Sequence, residues 1–177
     1  ARSRSALRDR NGNPILVDDV LDTGDTINEL PGGGYDLVQS SVSYALSSDV
    51  EVLTLTGNAN LSATGNAQRN RLVGNAGNNR LNGGAEADAL LGGAGNDTYV
   101  LDSWGDTVTE QASEGTDLVQ VAIAAAGGTY VLGEQLENAT LTNAVAFNLT
   151  GNAGNNVLVG NATDNVLNGG AGADVMN

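Results

Sequence analysis

The chain has no cysteine, no histidine and no lysine, and it carries only two prolines, one tryptophan and one phenylalanine among 177 residues. Without cysteine, no disulfide stabilises the fold. Without histidine, lysine or cysteine, the usual general bases and nucleophiles are missing. Carboxylate-only glycoside chemistry needs just two acids at a set separation, but nothing in the sequence marks such a pair in a pocket. The chain is therefore read as non-enzymatic. No apolar run approaches the length of a transmembrane helix, so no membrane insertion is expected. The opening ARSRSALRDR lacks the apolar middle of a signal peptide.

Positive charge is scarce and lopsided. Seven Arg face twenty-one carboxylates, for a net charge of −14; Arg2, Arg4, Arg8 and Arg10 lie in the first ten residues, and no basic residue follows Arg80. Nucleic acid and anionic surfaces are excluded as partners on these grounds. A polyanion without internal counter-charge either repels itself or recruits cations, and an all-oxygen donor set suits calcium.

What the chain does have is glycine and a period of nine. Residues 65–100 read GNAQRNRLV, GNAGNNRLN, GGAEADALL and GGAGNDTYV without a gap, and GNAGNNVLV, GNATDNVLN and GGAGADVMN follow at 151–177. Such a period belongs to a repeat architecture, in which one short unit buries its apolar face only by stacking on its neighbours. Gly, Asn and Asp tolerate φ > 0, so the first six places suit a tight turn. The last three places alternate like a strand, with the eighth pointing inward: Leu72, Leu81, Leu90, Tyr99, Leu158, Leu167 and Met176. Twenty-five glycines and 3% aromatics would be poor for a globular core, but they suit a narrow ladder of Leu, Val and Ala. The expected fold is all-β, a parallel β-roll or β-solenoid with two short strands and two turns per coil of about eighteen residues, and with less regular intervening coils.

GGAGNDTYV matches G-G-x-G-x-D-x-U-x, and these tandem blocks resemble the RTX (haemolysin-type) calcium-binding nonapeptide repeats. The resemblance implies that turn carbonyls, here in the turns of Gly83, Gly92 and Gly95, coordinate Ca2+ together with the sixth-place Asp of two stacked turns. Alternate turns stack, which pairs Asp88 with Asp106 and, after two extra residues, Asp97 with Asp117. Asp174 has the right turn but no following one. Asp25 and Asp36 also fall at the sixth place, beside irregular turns. Asp102, Glu110 and Glu114 are left open as contributors or solvated acids.

The sequence departs from that pattern at Asn70, Asn79, Asn156 and Asn165, where the sixth place is a neutral amide. With the second-place Asn66 and Asn75, Asn70 and Asn79 are expected to form side-chain ladders to turn backbone that join coils without metal. Trp104 sits in a turn and is expected to cover the edge of the roll, with stacking on a sugar as the alternative.

The organisation expected is a polar lead-in at 1–16, irregular solenoid coils at 17–64, a regular roll at 65–120, irregular coils at 121–150 and a second roll at 151–177, all in one elongated domain. At larger scale 25–39 aligns with 106–120, 50–56 with 136–142, and 64–90 with 150–176. A duplicated unit argues for a modular rod over a single active site. The chain lacks an initiating Met and its last block lacks a partner turn, so a longer polypeptide is expected, with a secretion signal beyond Asn177 by resemblance. The resemblance implies an extracellular or cell-surface setting reached by type I export, and a calcium-stabilised structural or adhesive segment. The alternative is the non-catalytic repeat module of a secreted epimerase, lipase or protease. Calcium ions are the expected partners; self-assembly, neighbouring repeats of the same polypeptide and polysaccharide stay open.

Overall fold

The computed structural model describes residues 7–8, 14–15, 17–20, 24, 27, 29 and 34–177. Among these described residues nineteen short strands follow one another: β1 (Leu7–Arg8), β2 (Pro14–Ile15), β3 (Val17–Val20), β4 (Leu37–Ser40), β5 (Tyr44–Ala45), β6 (Val52–Leu55), β7 (Ser62–Thr64), β8 (Arg71–Val73), β9 (Arg80–Asn82) and β10 (Ala89–Leu91). The series continues with β11 (Thr98–Leu101), β12 (Thr107–Thr109), β13 (Leu118–Val121), β14 (Gly128–Val131), β15 (Asn138–Leu141), β16 (Phe147–Thr150), β17 (Val157–Val159), β18 (Leu167–Asn168) and β19 (Val175–Met176). Among the described residues there is no helix, and hence none long and apolar enough to cross a membrane.

Among the described residues, every pairing apart from the antiparallel β1–β2 pair is parallel, and every parallel pairing except β3–β4 skips one strand. One face of the roll runs β3-β4-β6-β8-β10-β12, and the other runs β5-β7-β9-β11-β13-β15-β17-β19. Tight six-residue turns join the two faces, so the chain winds as a solenoid with two strands and two turns per coil. Leu72 lies beside Leu90, and Leu81 beside Tyr99, each a displacement of eighteen residues. These eighth-place side chains fill the space between the faces. Leu53, Leu72, Leu81, Leu90, Tyr99 and Leu158 have no exposure and belong to one continuous core. Each buried side chain of this size stabilises the coil by about 2 kcal/mol. Leu167 packs against the same core from a half-buried place, but Met176 is 51% exposed, because β19 has no strand beyond it to pack against.

The less regular stretch at 37–64 continues the coil on both faces, and the one at 121–150 continues it on one face only. There β13, β15 and β17 pair in unbroken register through 121–150. On the opposite face the sheet ends at β12 and a new one begins, β14-β16-β18. Trp104 covers this seam. Its ring stacks on Phe147 with centroids 5.2 Å apart, and Gly128 lies so close beneath that a Cβ there would enter both rings. The expectation of an edge cover is met, although Trp104 as a whole stays 55% exposed.

Candidate metal centre

The turns fall into two kinds, set by the second residue. In the Gly-Asn turns, Asn66, Asn75, Asn152 and Asn161 each send the side-chain amide into two backbone carbonyls of the turn below. Asn66 donates to Ser47 and Val50, Asn75 to Thr56 and Ala59, Asn152 to Gly133 and Leu136, and Asn161 to Asn143 and Val145, all at 2.7–3.1 Å. The sixth-place oxygen of Asn70, Asn79, Asn156 and Asn165 in turn accepts the second-place N–H of its own turn at 2.7–2.9 Å. An amide supplies both donor and acceptor, so these turns close on themselves and on their neighbours with no net charge. The ladders expected of Asn66, Asn70, Asn75 and Asn79 are present.

In the Gly-Gly turns there is no side chain at the second place to reach those carbonyls. The backbone also takes a different path. φ is positive at Gly84 (87°), Gly93 (83°) and Gly170 (87°), and again at the fourth place in Glu86 (74°), Gly95 (124°) and Gly172 (116°). Glycine adopts such values without the steric cost that a Cβ imposes. The first-place glycines meet a second constraint: a Cβ on Gly83 would run into the Asp88 carboxylate, and one on Gly92 into the Asp97 carboxylate and the Tyr99 hydroxyl.

The sixth-place acids stack as the spacing requires. Asp88 N–H donates to Asp106 Oδ1 at 3.1 Å, and Asp97 N–H to Asp117 Oδ1 at 2.8 Å. Asp174 stands over Asn156, whose N–H it accepts at 2.9 Å. Asp36 is buried, and its N–H goes to Glu51 Oε2 at 2.8 Å, fifteen residues on rather than eighteen. Asp25 lies outside the described residues. Gly83, Gly92 and Gly95 sit in the turns of Asp88 and Asp97, as expected. Glu51 and Glu137 were not foreseen. Each takes the place of a sixth-place acid, and Glu137 Oε2 accepts Asp117 N–H at 2.8 Å. Their signal was present in the aligned segments VEVLTLT and LENATLT, where Glu holds the same position twice.

Several oxygens at these turns are buried with no hydrogen-bond partner: Asp88 Oδ2, Asp97 Oδ2, the Tyr99 hydroxyl and both oxygens of Glu110. A buried acceptor left unpaired costs about 1–3 kcal/mol, more when charged. Burial pushes the carboxyls of Asp88 and Asp97 up to about 6, aided for Asp97 by the charge of Asp117 and for Asp88 by that of Asp106. Burial likewise raises Asp102, Asp106 and Asp117, and it takes Glu110 to about 8, with the neighbouring charge of Asp117 adding to it. Carboxylates forced together without cationic side chains, with one oxygen each of Asp88 and Asp97 and both of Glu110 lacking a donor, are the donor set that a hard divalent cation satisfies. The residues therefore fit calcium: Asp88 with Asp106, and Asp97 with Asp117, would hold it beside the Gly-Gly turns. When bound, the ion supplies the positive charge that offsets these acids. Oxygen donors from Asp97, Glu110 and Asp117 lie within 4.8 Å of one another, making this the one such three-acid group among the described residues.

The fold is a parallel β-solenoid of about eight coils with a period near eighteen residues, and its acidic turns fit a calcium-binding repeat segment. The model of the RTX calcium-binding nonapeptide repeat matches residues 64–99 and 148–177, in four copies. Over these stretches the chain is similar to RTX repeats, a family whose nonapeptides bind calcium. Comparison with curated proteins gives no match, and neither does comparison with solved structures.

Proposed function

We propose that this chain is a calcium-stabilised rod segment, structural or adhesive, of a bacterial protein exported by a type I system, and that it folds in the calcium-rich exterior. The observation that carries the reading is the set of buried, partnerless oxygens at the Gly-Gly turns. In low calcium, Asp88, Asp97 and Asp117, which are buried, and Asp106, which is half-buried, are acids without counter-charge, and the coils that join them are destabilised. Outside the cell, cation binding becomes folding free energy. The Asn-clamped turns need no ion, so they hold the remainder of the roll in either condition.

The rod is favoured over an enzyme's accessory module by the duplicated unit, which lengthens a solenoid without adding a site. In this reading the segment takes no part in catalysis, since its acids are engaged in turns. A calcium titration followed by circular dichroism, on the wild type and Asp97→Ala, tests it. The wild type should gain β signal and thermal stability on leaving chelator, and Asp97→Ala should need more calcium for a smaller gain. Identical spectra with and without chelator, in both proteins, would remove calcium from the account and leave a metal-free solenoid.

A further inference from the structure

The two Gly-Gly sites of the central roll are not equivalent. At the first, Asp106 is already satisfied: Oδ1 accepts the N–H of Asp88, and Oδ2 accepts those of Asp102 and Ser103 at 3.1 and 3.0 Å. Only Asp88 Oδ2 is left buried and unpaired there. At the second, the partnerless atoms are Asp97 Oδ2, both oxygens of Glu110 and the Tyr99 hydroxyl. Asp97 is 1% exposed, and its carboxylate lies within 4.8 Å of donor oxygens from Glu110 and Asp117.

Glu110 reaches this position because of the insertion. Asp88 and Asp106 are eighteen residues apart, but Asp97 and Asp117 are twenty. The two added residues, Glu110 and Gln111, lengthen the path out of β12 and fold Glu110 inward. Gln111 N–H is meanwhile held by Glu114 Oε2 at 2.7 Å, which fastens the loop to the turn. Glu29 occupies the equivalent place in the first copy, DTINELPGGGYD against DTVTEQASEGTD. A nonapeptide turn offers no third side-chain ligand of this kind.

We propose that Glu110 is a third carboxylate ligand of the Asp97–Asp117 site, and that it makes this the first site to fill and the one that prefers cations of higher charge. The proposal rests on the calcium reading of the turns. Ligand charge count is a main determinant of affinity in oxygen-donor sites. Three acids repel each other more than two in the empty state, and they gain more when a cation neutralises them.

The test uses the whole chain, calcium and terbium(III) as probes, and three proteins: wild type, Glu110→Gln and Asp106→Asn. Calorimetry should resolve a tighter and a weaker event in the wild type. Glu110→Gln should weaken the tighter event about tenfold or more, with a larger loss for terbium than for calcium, and leave the weaker one in place. Asp106→Asn should affect only the weaker event. Thermal melts supply a second readout that a purely structural Glu110 would not reproduce. Glu110→Gln should raise the melting temperature in chelator above pH 8, where it removes a buried carboxylate with no partner, and lower it in calcium. An isotherm that superimposes on the wild type, or a variant less stable in chelator as well, would overturn the role of Glu110 while leaving the Asp97–Asp117 site standing. Absence of any binding by the wild type would overturn both.

Discussion

The turn at 65–70 and the turn stacked on it at 83–88 have the same length, flank the same Leu ladder and differ at four places, of which the second and sixth decide how each turn is held. The lower has Asn at the second and sixth places, and the upper has Gly and Asp. In the lower turn an amide occupies the carbonyls below and accepts an N–H of its own turn. In the upper turn Gly84 has no side chain to reach the equivalent carbonyls, and a carboxylate oxygen is left buried and unpaired. One backbone pattern thus carries two solutions to the same problem. A neutral side chain serves where the coil is to be permanent, and an acid serves where the counter-charge is to come from solution. The difference teaches that the proposed metal dependence belongs to single turns and not to the whole fold.

The largest effect should come from erasing the contrast. Asp88→Asn combined with Asp97→Asn converts both acidic turns to amides. At calcium well above the millimolar range typical of extracellular sites, the wild type should gain about 1–3 kcal/mol per occupied site, and the double variant almost none. In chelator the order should reverse, with the double variant melting higher. Equal calcium responses in the two proteins would show that the acids are not where the ion acts.

A smaller effect is expected on the other side. Asn66→Gly removes two hydrogen bonds to Ser47 and Val50 and leaves those carbonyls uncovered. The loss should be about 1–3 kcal/mol, and equal in chelator and in calcium. A loss seen only in chelator would mean that calcium can substitute for the amide, and that Gly-Asn turns are latent metal sites.

The smallest is a pH effect on the metal-free protein. The carboxyls of Asp88 and Asp97 stand near 6 and that of Glu110 near 8 in the folded chain, against ordinary values of about 4. Between those limits the folded state binds more protons than the unfolded one, so stability falls as pH rises. In chelator the roll should therefore melt higher at pH 5 than at pH 8. Saturating calcium should flatten or invert that slope, because the cation binds the deprotonated acids. A metal-free melting temperature that rose with pH would show that these acids find donors in solution.

Much of this was legible before any coordinates. The nonapeptide period determined the coil, because alternation over three residues and a six-residue turn leave one way to bury Leu72, Leu81 and Leu90. Sixth-place Asp and Asn identified which turns carry charge and which close on themselves. Glu110 was not resolved, because a two-residue insertion announces a bulge without saying whether its acid points in or out. Its inward turn depends on Asp97 and Asp117 being stacked beside it, a contact between residues far apart in the chain.

By itself, then, the sequence determined the winding, the core ladder and the two chemistries of turn, since each of these is local and repeats. Only the tertiary structure decided which acids share a space, how Trp104 closes the seam at Gly128, and on which face each copy of the duplicated unit lies. Leu37 and Leu118 are equivalent in the two copies, yet β4 and β13 belong to opposite sheets. Nine half-coils separate them, and an odd number of half-coils returns the chain to the other side.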